Sequence, residues 1–471
     1  MSHPKTNRRS FLKAAAATSI AAITPCVFYN HRMMSAEYRC ANDKVPIGLI
    51  GAGGMGVGNM WAARQWVDVV AIADADLRRC ESSNKKLSNG KADVSQDYRK
   101  VLERDDIKVV HIATPDHWHT KPVIEAMLAG KDVYCEKPLT LTVDEGKLIR
   151  KVQKETGRIV QVGTQQRSQF KLFTKAIAIA AEGRLGKIKR LQCAIGGAPT
   201  SDAIPIADVP KELDWDRWLG PAPLTDFRWA NKTLTNDKGK EQVTRRNNNH
   251  YEFRWWYEYS GGKLTDWGAH HVDIAMWALR AAGQSTNILS VDGTAQHPVE
   301  FKDGVPVQND RYNTANKFNF TAQMEGGAEI VIRHDTSNGC LIEGDKGRIF
   351  VNRGKITGKP VEDLADNPLP EDAIQKVYKN LPMENAERKA HWLNFLHCHK
   401  NGIEPISDVH SHMEMLNLCH LAGICARVGR KINWDAKSES IVGDEIANAM
   451  LARPYRKGYE IEMKQLAGTT N

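Results

Sequence analysis

An amine, a carboxylate and an imidazole are the side chains of this sequence best placed to move a proton, and they come from two separate stretches. Lys137 precedes Pro138 at the end of a short apolar run, Asp132 to Cys135. A residue before proline is pushed into extended backbone, so the amine is expected to project from a strand end. There an ammonium polarises a substrate oxygen or stabilises a developing alkoxide. A surface lysine in a turn is the competing reading. The second stretch, GGKLTDWGAHHVD at residues 261–273, opens a helix running to about Leu279. Asp266 and His270 stand four apart and Asp273 three further on, so the three share one face. A carboxylate beside an imidazole orients it and supports its protonated form, as a general base taking an alcohol proton requires. An ordinary helix ion pair and a metal site from the three residues are the alternatives. His271 faces elsewhere and reads as structural.

What tips the balance towards proton transfer lies upstream. Val45 to Ile50 is an apolar run that breaks directly into Gly51-x-Gly53-x-x-Gly56 before a helix-like segment, Val57 to Gln65. Gly51 permits the turn, Gly53 lets the backbone approach a pyrophosphate, and Gly56 lets the helix pack closely on the strand. The phosphates then rest on free N–H groups at a helix N-terminus. A second apolar run, Val67 to Ala73, ends in Asp74, close to where an acid holds the adenosine ribose hydroxyls. A carboxylate there repels a 2′-phosphate, so NAD is expected ahead of NADP, although Arg78 and Arg79 stand nearby. With a nicotinamide site in place, the base reading of His270 overtakes its two alternatives.

The elements that must position these groups alternate. Helix is expected over Asp76 to Ser88, Tyr98 to Glu103, Lys121 to Leu128 and from the capping box Thr142-x-x-Glu145 to Glu155. Strands are expected at Val109 to Ala113, Asp132 to Cys135 and Arg158 to Val162. Such alternation gives an open parallel sheet that binds ligands at the carboxyl ends of its strands. Three such ends carry functional side chains: Asp74, the loop Thr114 to His119, and Glu136-Lys137. From Ser168 the texture changes. A helix, Phe170 to Ala181, and a strand, Lys187 to Ile195, lead into a long proline-marked stretch, Gly196 to Tyr251. Short β-prone segments between Ile288 and Val351 then suggest an antiparallel meander, completed by helices at Ala386 to His399 and Val409 to Val428. The expected fold is an α/β Rossmann domain at 45–166, then an α+β domain at 167–471 with an open, mainly antiparallel sheet. Arg254 and Tyr257, just before the Asp266 helix, suit a polyhydroxylated ring, while Trp255 and Trp256 read equally well as core.

Charge excludes one function class. The net charge is +9, but residues 1–36 hold Lys5, Arg8, Arg9, Lys13 and Arg32 with no acid, so the rest of the chain carries only +4. That surplus, without a basic stripe, gives little pull on a nucleic acid. Nine cysteines without a CxxC pair suggest neither zinc nor a dense disulfide framework, and no metal is expected. At 1–36 the run Arg8-Arg9-Ser10-Phe11-Leu12-Lys13 and the apolar stretch Ala14 to Ile23 resemble a twin-arginine export signal. The apolar part is too short to span a bilayer. The expectation is a periplasmic or otherwise exported protein with no stable membrane span in its mature form.

Taken together, GAGGMG, TPDHWH, EKP, GTQQR and GGKLTDWGAHHVD resemble the glucose-fructose oxidoreductase/inositol dehydrogenase/MocA (Gfo/Idh/MocA) family of nicotinamide oxidoreductases. The resemblance implies catalytic roles for Lys137, Asp266 and His270 and a second domain that carries the substrate site and often a homo-oligomer interface. The expected cofactor contacts are Gly51, Gly53, Gly54, Met55, Gly56, Asp74, Thr114, Pro115, His119, Glu136, Lys137 and Gln165. The expected substrate contacts are Lys137, Arg167, Arg254, Tyr257, Asp266 and His270. The partner implied is a sugar, inositol or related polyol, its secondary alcohol exchanging hydride with NAD or NADP. A redox-neutral glycosidase or lyase cycle on the same fold is the first alternative, and a non-catalytic dinucleotide sensor the second.

Overall fold

The computed structural model describes residues 44–235, 241–384 and 386–461. The export-signal expectation, at 1–36, lies outside the described residues. The first domain is a six-stranded parallel sheet in the order β3-β2-β1-β4-β5-β6, with β1 Val45–Ile50, β2 Val67–Ala73, β3 Asp93–Ser95, β4 Val109–Ile112, β5 Asp132–Cys135 and β6 Val160–Val162. Strands β1, β4, β5 and β6 are apolar and almost wholly buried, as a sheet covered on both faces requires. The helices between them are α1 Gly54–Ala63, α2 Leu77–Ser88, α3 Arg99–Leu102, α4 Thr120–Leu128 and α5 Val143–Thr156. Local chemistry sets their ends. Asp76 caps α2 by accepting from the Arg78 N–H, the Thr142/Glu145 capping box opens α5, and Gly157 closes it at φ 64°. Strand order reverses between β1 and β4, which opens the crevice in which such sheets bind nucleotides.

The second domain is a mixed nine-stranded sheet. In spatial order its strands are Ile356–Thr357, Arg348–Val351, Gly339–Gly344, Ile188–Ala194, Glu329–Arg333, Lys317–Met324, Ile288–Gln296, Ile432–Asp435 and Ser440–Val442. All neighbours pair antiparallel except Ile188–Ala194 with Glu329–Arg333. Helices Gly268–Ala281 and Val409–Val428 pack on this sheet. The proline-marked stretch, 196–251, holds a short helix, Trp215–Leu219, and a hairpin, Trp229–Thr235 with Glu241–Asn247. Among the described residues, no helix is long and apolar enough to cross a membrane.

One helix departs from expectation. Glu387–Asn401 does not complete the second domain but covers the first. Its Trp392 stacks on Tyr134 of β5 at 4.2 Å, and Trp392, Leu393, Phe395 and Leu396 share one apolar core with Ile47, Leu49 and Val109. The two domains are further tied where the Val162 N–H donates to the Ser407 carbonyl at 2.9 Å.

Candidate functional site

The glycine turn comes first because it sets the cradle. Gly51 adopts φ 94°, and a side chain there would drive Cβ to 2.5 Å from the Ala113 carbonyl carbon; at Gly56, Cβ would lie 2.2 Å from the Gly51 oxygen. Turn, strand and helix approach so closely that only hydrogen fits. The cradle opens into a cavity of about 780 Å³ along the ends of β1, β2, β4 and β5. Gly51, Gly53, Gly54, Met55, Asp74, Thr114, Pro115, Glu136, Lys137 and Arg254 line it. The Asp74 carboxylate is held in place by the N–H groups of Ala52 (2.8 Å) and Asp76 (2.9 Å), which leaves it facing the crevice at the β2 end. Arg78 is committed to Asp76, whereas Arg79 stands beside Gly53. A positive-φ glycine cradle, a helix N-terminus and a carboxylate fixed at the β2 end fit a dinucleotide.

At the opposite end of the crevice, Lys137 follows β5. Its ammonium donates to Asp266 Oδ1 at 2.5 Å and to the Asp266 carbonyl at 3.1 Å, and Arg254 Nε reaches the same carboxylate oxygen at 3.4 Å. Burial disfavours the Asp266 charge, but the two cations outweigh it and hold the carboxyl well below the usual range. Glu136, buried beside Lys137, accepts from Asn59 Nδ2 at 2.6 Å and Gln165 Nε2 at 3.2 Å. Its burial pushes the carboxyl up to about 7, against the pull of Lys137 and Asn59. Asp116 also lines the cavity, accepts from Ser260 Oγ at 2.5 Å, and is raised by burial.

Several expectations are corrected by these contacts. Asp266 does not orient His270: its carboxylate is taken by Lys137 and Arg254, and His270 Nδ1 is buried without a partner. Nor is its charged form supported: burial, with Lys137 and Arg353 nearby, holds the imidazole well below its ordinary value. His270 is 6% exposed, and neither it nor Asp266 is among the residues that line this cavity. Asp273 joins neither of them; it forms a buried two-point ion pair with Arg167, at 2.6 and 2.8 Å. The remaining Arg167 nitrogen donates to the Ile406 carbonyl and Ser411 Oγ, so this guanidinium is a clamp within the protein and is not free to meet a substrate. Tyr257 turns away to His297 (3.2 Å) and the Arg427 guanidinium, and the tyrosine of this segment that lines the cavity is Tyr251.

Two expected cofactor contacts act one layer back. His119 is buried, its ring nitrogens on the carbonyls of Pro138 (2.6 Å) and Thr114 (2.9 Å), so it ties the Lys137-Pro138 turn to the β4 loop. Gln165 supports Glu136 rather than lining the cavity. His271 is structural, on Asn338 at 2.9 Å, and Trp255 and Trp256 are core. Among the described residues, no group of His, Cys, Asp and Glu has the geometry of a metal site. The seven described cysteines are buried and free.

A second wall of the cavity carries no motif in the sequence. Asp97, Tyr98 and Arg99 line the cavity from behind β3, a three-residue polar strand without an apolar signal. Asp214, Trp218 and His250 come from the 196–251 stretch and Tyr459 from the chain's last described segment, and nothing local marks them as site residues.

Comparison with known proteins identifies the two domains. Residues 45–164 match the family model of the Gfo/Idh/MocA oxidoreductases, NAD-binding Rossmann fold, and residues 199–461 match that family's C-terminal alpha/beta domain. Inositol 2-dehydrogenase 4 of Saccharopolyspora erythraea is 32% identical over 190 residues, covering 38% of this chain and 55% of the relative. Glycosyl hydrolase family 109 protein 2 of Shewanella sp. strain ANA-3 is 33% identical over 159 residues, covering 30% and 35%. The chain thus spans only about a third to just over half the length of such relatives. Among solved structures, the WlbA dehydrogenase of Bordetella pertussis, in complex with NADH and UDP-GlcNAcA, superposes with a TM-score of 0.57 at 17% identity. That match covers 84% of this chain and 99% of the other, a likeness of fold. With a family model matched across each of its two domains, the chain belongs to the Gfo/Idh/MocA oxidoreductase family.

Proposed function

We propose that this chain is an exported oxidoreductase that moves hydride between a tightly held NAD and a secondary alcohol or ketone of a sugar, inositol or related polyol. The observation that carries the reading is the bond from Lys137 to Asp266, an amine of the first domain fixed by an acid of the second at one end of the dinucleotide crevice. A bound nicotinamide ring supplies the hydride acceptor or donor. The Lys137 ammonium is assigned the substrate oxygen; Asp266 holds it in place, and Arg254 shares the same carboxylate oxygen. His270, its charged form disfavoured by burial and by the Lys137 and Arg353 charges, is assigned the alcohol proton. The inositol dehydrogenase relative supports the polyol class, and the open sheet of the second domain is the surface assigned to a homo-oligomer.

Export rests on the Arg8-Arg9 segment. A protein sent beyond the cytoplasm meets no nicotinamide pool, so its cofactor is loaded beforehand and regenerated on the enzyme. Either a second sugar is reduced in turn, or the cycle is redox-neutral: ketone formation, elimination and re-reduction. The glycosyl hydrolase relatives favour carrying that second form as an alternative.

Mass spectrometry of small molecules released from the purified protein tests the reading. Stoichiometric NAD(H) is expected. Protein free of nicotinamide that turns over a single alcohol with added NAD would refute retention. Replacing His270 with Ala is expected to abolish hydride transfer and leave nucleotide binding intact; loss of binding alone would favour a sensor.

A further inference from the structure

The crevice of a Rossmann domain is open on its solvent side, but here two distant segments close it. The first, residues 206–220 of the long insertion, lies along the loop that carries Asp74. The Asp214 N–H donates to the Ala75 carbonyl at 3.0 Å, the Leu77 N–H to the Glu212 carbonyl at 2.9 Å, and Arg217 pairs with Asp97 at 2.8 Å. Trp118 Nε1 holds the carbonyls of Arg217 (2.9 Å) and Trp218 (3.0 Å). The second segment, residues 453–461, is anchored by Arg453 and Tyr455 on Glu145, at 2.8 and 2.7 Å, and by Lys121 Nζ on the Glu460 carbonyl at 2.7 Å. The two segments meet at Asp216. Its carboxylate takes Arg456 and the Tyr459 hydroxyl (2.8 Å), while Arg456 also donates to the Gly220 carbonyl at 2.8 Å. Asp214, Asp216, Arg217, Trp218 and Tyr459 all face the same cavity as Asp74 and Tyr98.

We propose that this insertion and tail form the outer wall of the adenosine subsite, with the Asp216–Arg456–Tyr459 junction as the latch that must open before a bound dinucleotide can leave. The proposal rests on the dinucleotide reading of the cavity. It assigns cofactor contact to Arg217, Trp218 and Tyr459, and it places the control of cofactor exchange outside the first domain. Retention is then kinetic, set by a polar junction at the surface, where the Asp216 side chain is 63% exposed. Such a junction is screened by salt.

The test is the dissociation rate of NADH from the full-length protein, followed by its fluorescence after mixing with excess NAD. Arg456→Ala and Tyr459→Phe are compared with the parent, and the parent at low and high salt. Loss of the Arg456 contacts to Asp216 and Gly220 is expected to speed release by about tenfold in Arg456→Ala, and loss of a single hydroxyl contact to speed it less in Tyr459→Phe, with faster release at high salt. Circular dichroism that matches the parent keeps a folding defect apart from an opened latch. Unchanged release in both variants, with NADH still bound by the parent, overturns the latch and leaves the cavity reading intact. A parent that binds no NADH overturns both.

Discussion

Asp266 grips Lys137 twice, through Oδ1 at 2.5 Å and through its own main-chain carbonyl at 3.1 Å, across 129 residues of sequence and across the domain boundary. A carboxylate alone would tolerate rotation of the amine; the added carbonyl fixes its direction. Lys137→Met keeps the length of the stem and removes the charge. It is expected to lower kcat by roughly 10²–10³-fold, the scale of losing one positioned electrostatic group, with little change in NADH affinity. Asp266→Asn should keep the carbonyl contact and fall between parent and Lys137→Met. Steady-state kinetics beside NADH titration check both, and an equal loss of binding would contradict the assignment.

His270 predicts a pH profile. Burial and the nearby Lys137 and Arg353 charges hold its imidazole well below its ordinary 6.5, so it is deprotonated and ready to accept a proton across the neutral range. The acidic limb of kcat/KM that belongs to His270 is therefore expected below pH 6.5. Arg353→Ala removes one of the depressing charges and should move that limb upward. A limb centred at or above 6.5 in the parent would place the titrating base elsewhere.

Legibility in the sequence followed the range of the interaction. The glycine turn, Asp74 and the strand ends were readable because each is specified within about 20 residues by backbone geometry and an apolar run. Lys137 and Asp266 were readable as chemical types at the right kind of position, but their bond was not, because it joins two domains. The same limit applies to Arg167 and Asp273. Both lie in motifs that suggest exposed chemistry, yet 106 residues apart they neutralise one another in the core. Asp266 was assigned to His270 by helical spacing; two cations from other elements outcompete that neighbour. The outer wall at 206–220 and 453–461 has no periodic pattern, since it is held by main-chain carbonyls and single ion pairs.

Arg167 and Asp273 carry a stability prediction that separates a clamp from a substrate contact. Their side chains are 3% and 0% exposed. Removing one partner strands a buried charge, so Arg167→Met is expected to cost roughly 3–5 kcal/mol in chemical denaturation. The double replacement Arg167→Met with Asp273→Leu should recover much of that loss, because it strands neither member of the pair, while Asp408 keeps Lys379 as its cation. Under conditions where the variant remains folded, KM should stay near the parent value. A raised KM without loss of stability would return Arg167 to the substrate.

Glu136 predicts how stability varies with pH. Its carboxyl is pushed up to about 7 in the folded protein from an ordinary 4.5, chiefly by burial, with Lys137 and Asn59 only partly offsetting that. Between those values the folded state keeps a proton that the unfolded chain releases, so the unfolded state binds fewer protons and stability falls as pH rises. The contribution of Glu136 is full below pH 4.5 and lost as pH passes 7, on the order of 3 kcal/mol over the whole span. Glu136→Gln keeps the shape, and an amide can still meet Asn59 and Gln165, but it carries no titrating proton. Urea denaturation from pH 5 to 8 should show the parent losing stability relative to Glu136→Gln, with the gap growing up to about pH 7 and then levelling. Bound dinucleotide should reduce that gap if the cofactor lies against Glu136, because a ligand that prefers one protonation state shifts the linked titration. Parallel curves across the range would show that Glu136 is already ionised in the folded protein, with Lys137 then outweighing burial at that strand end.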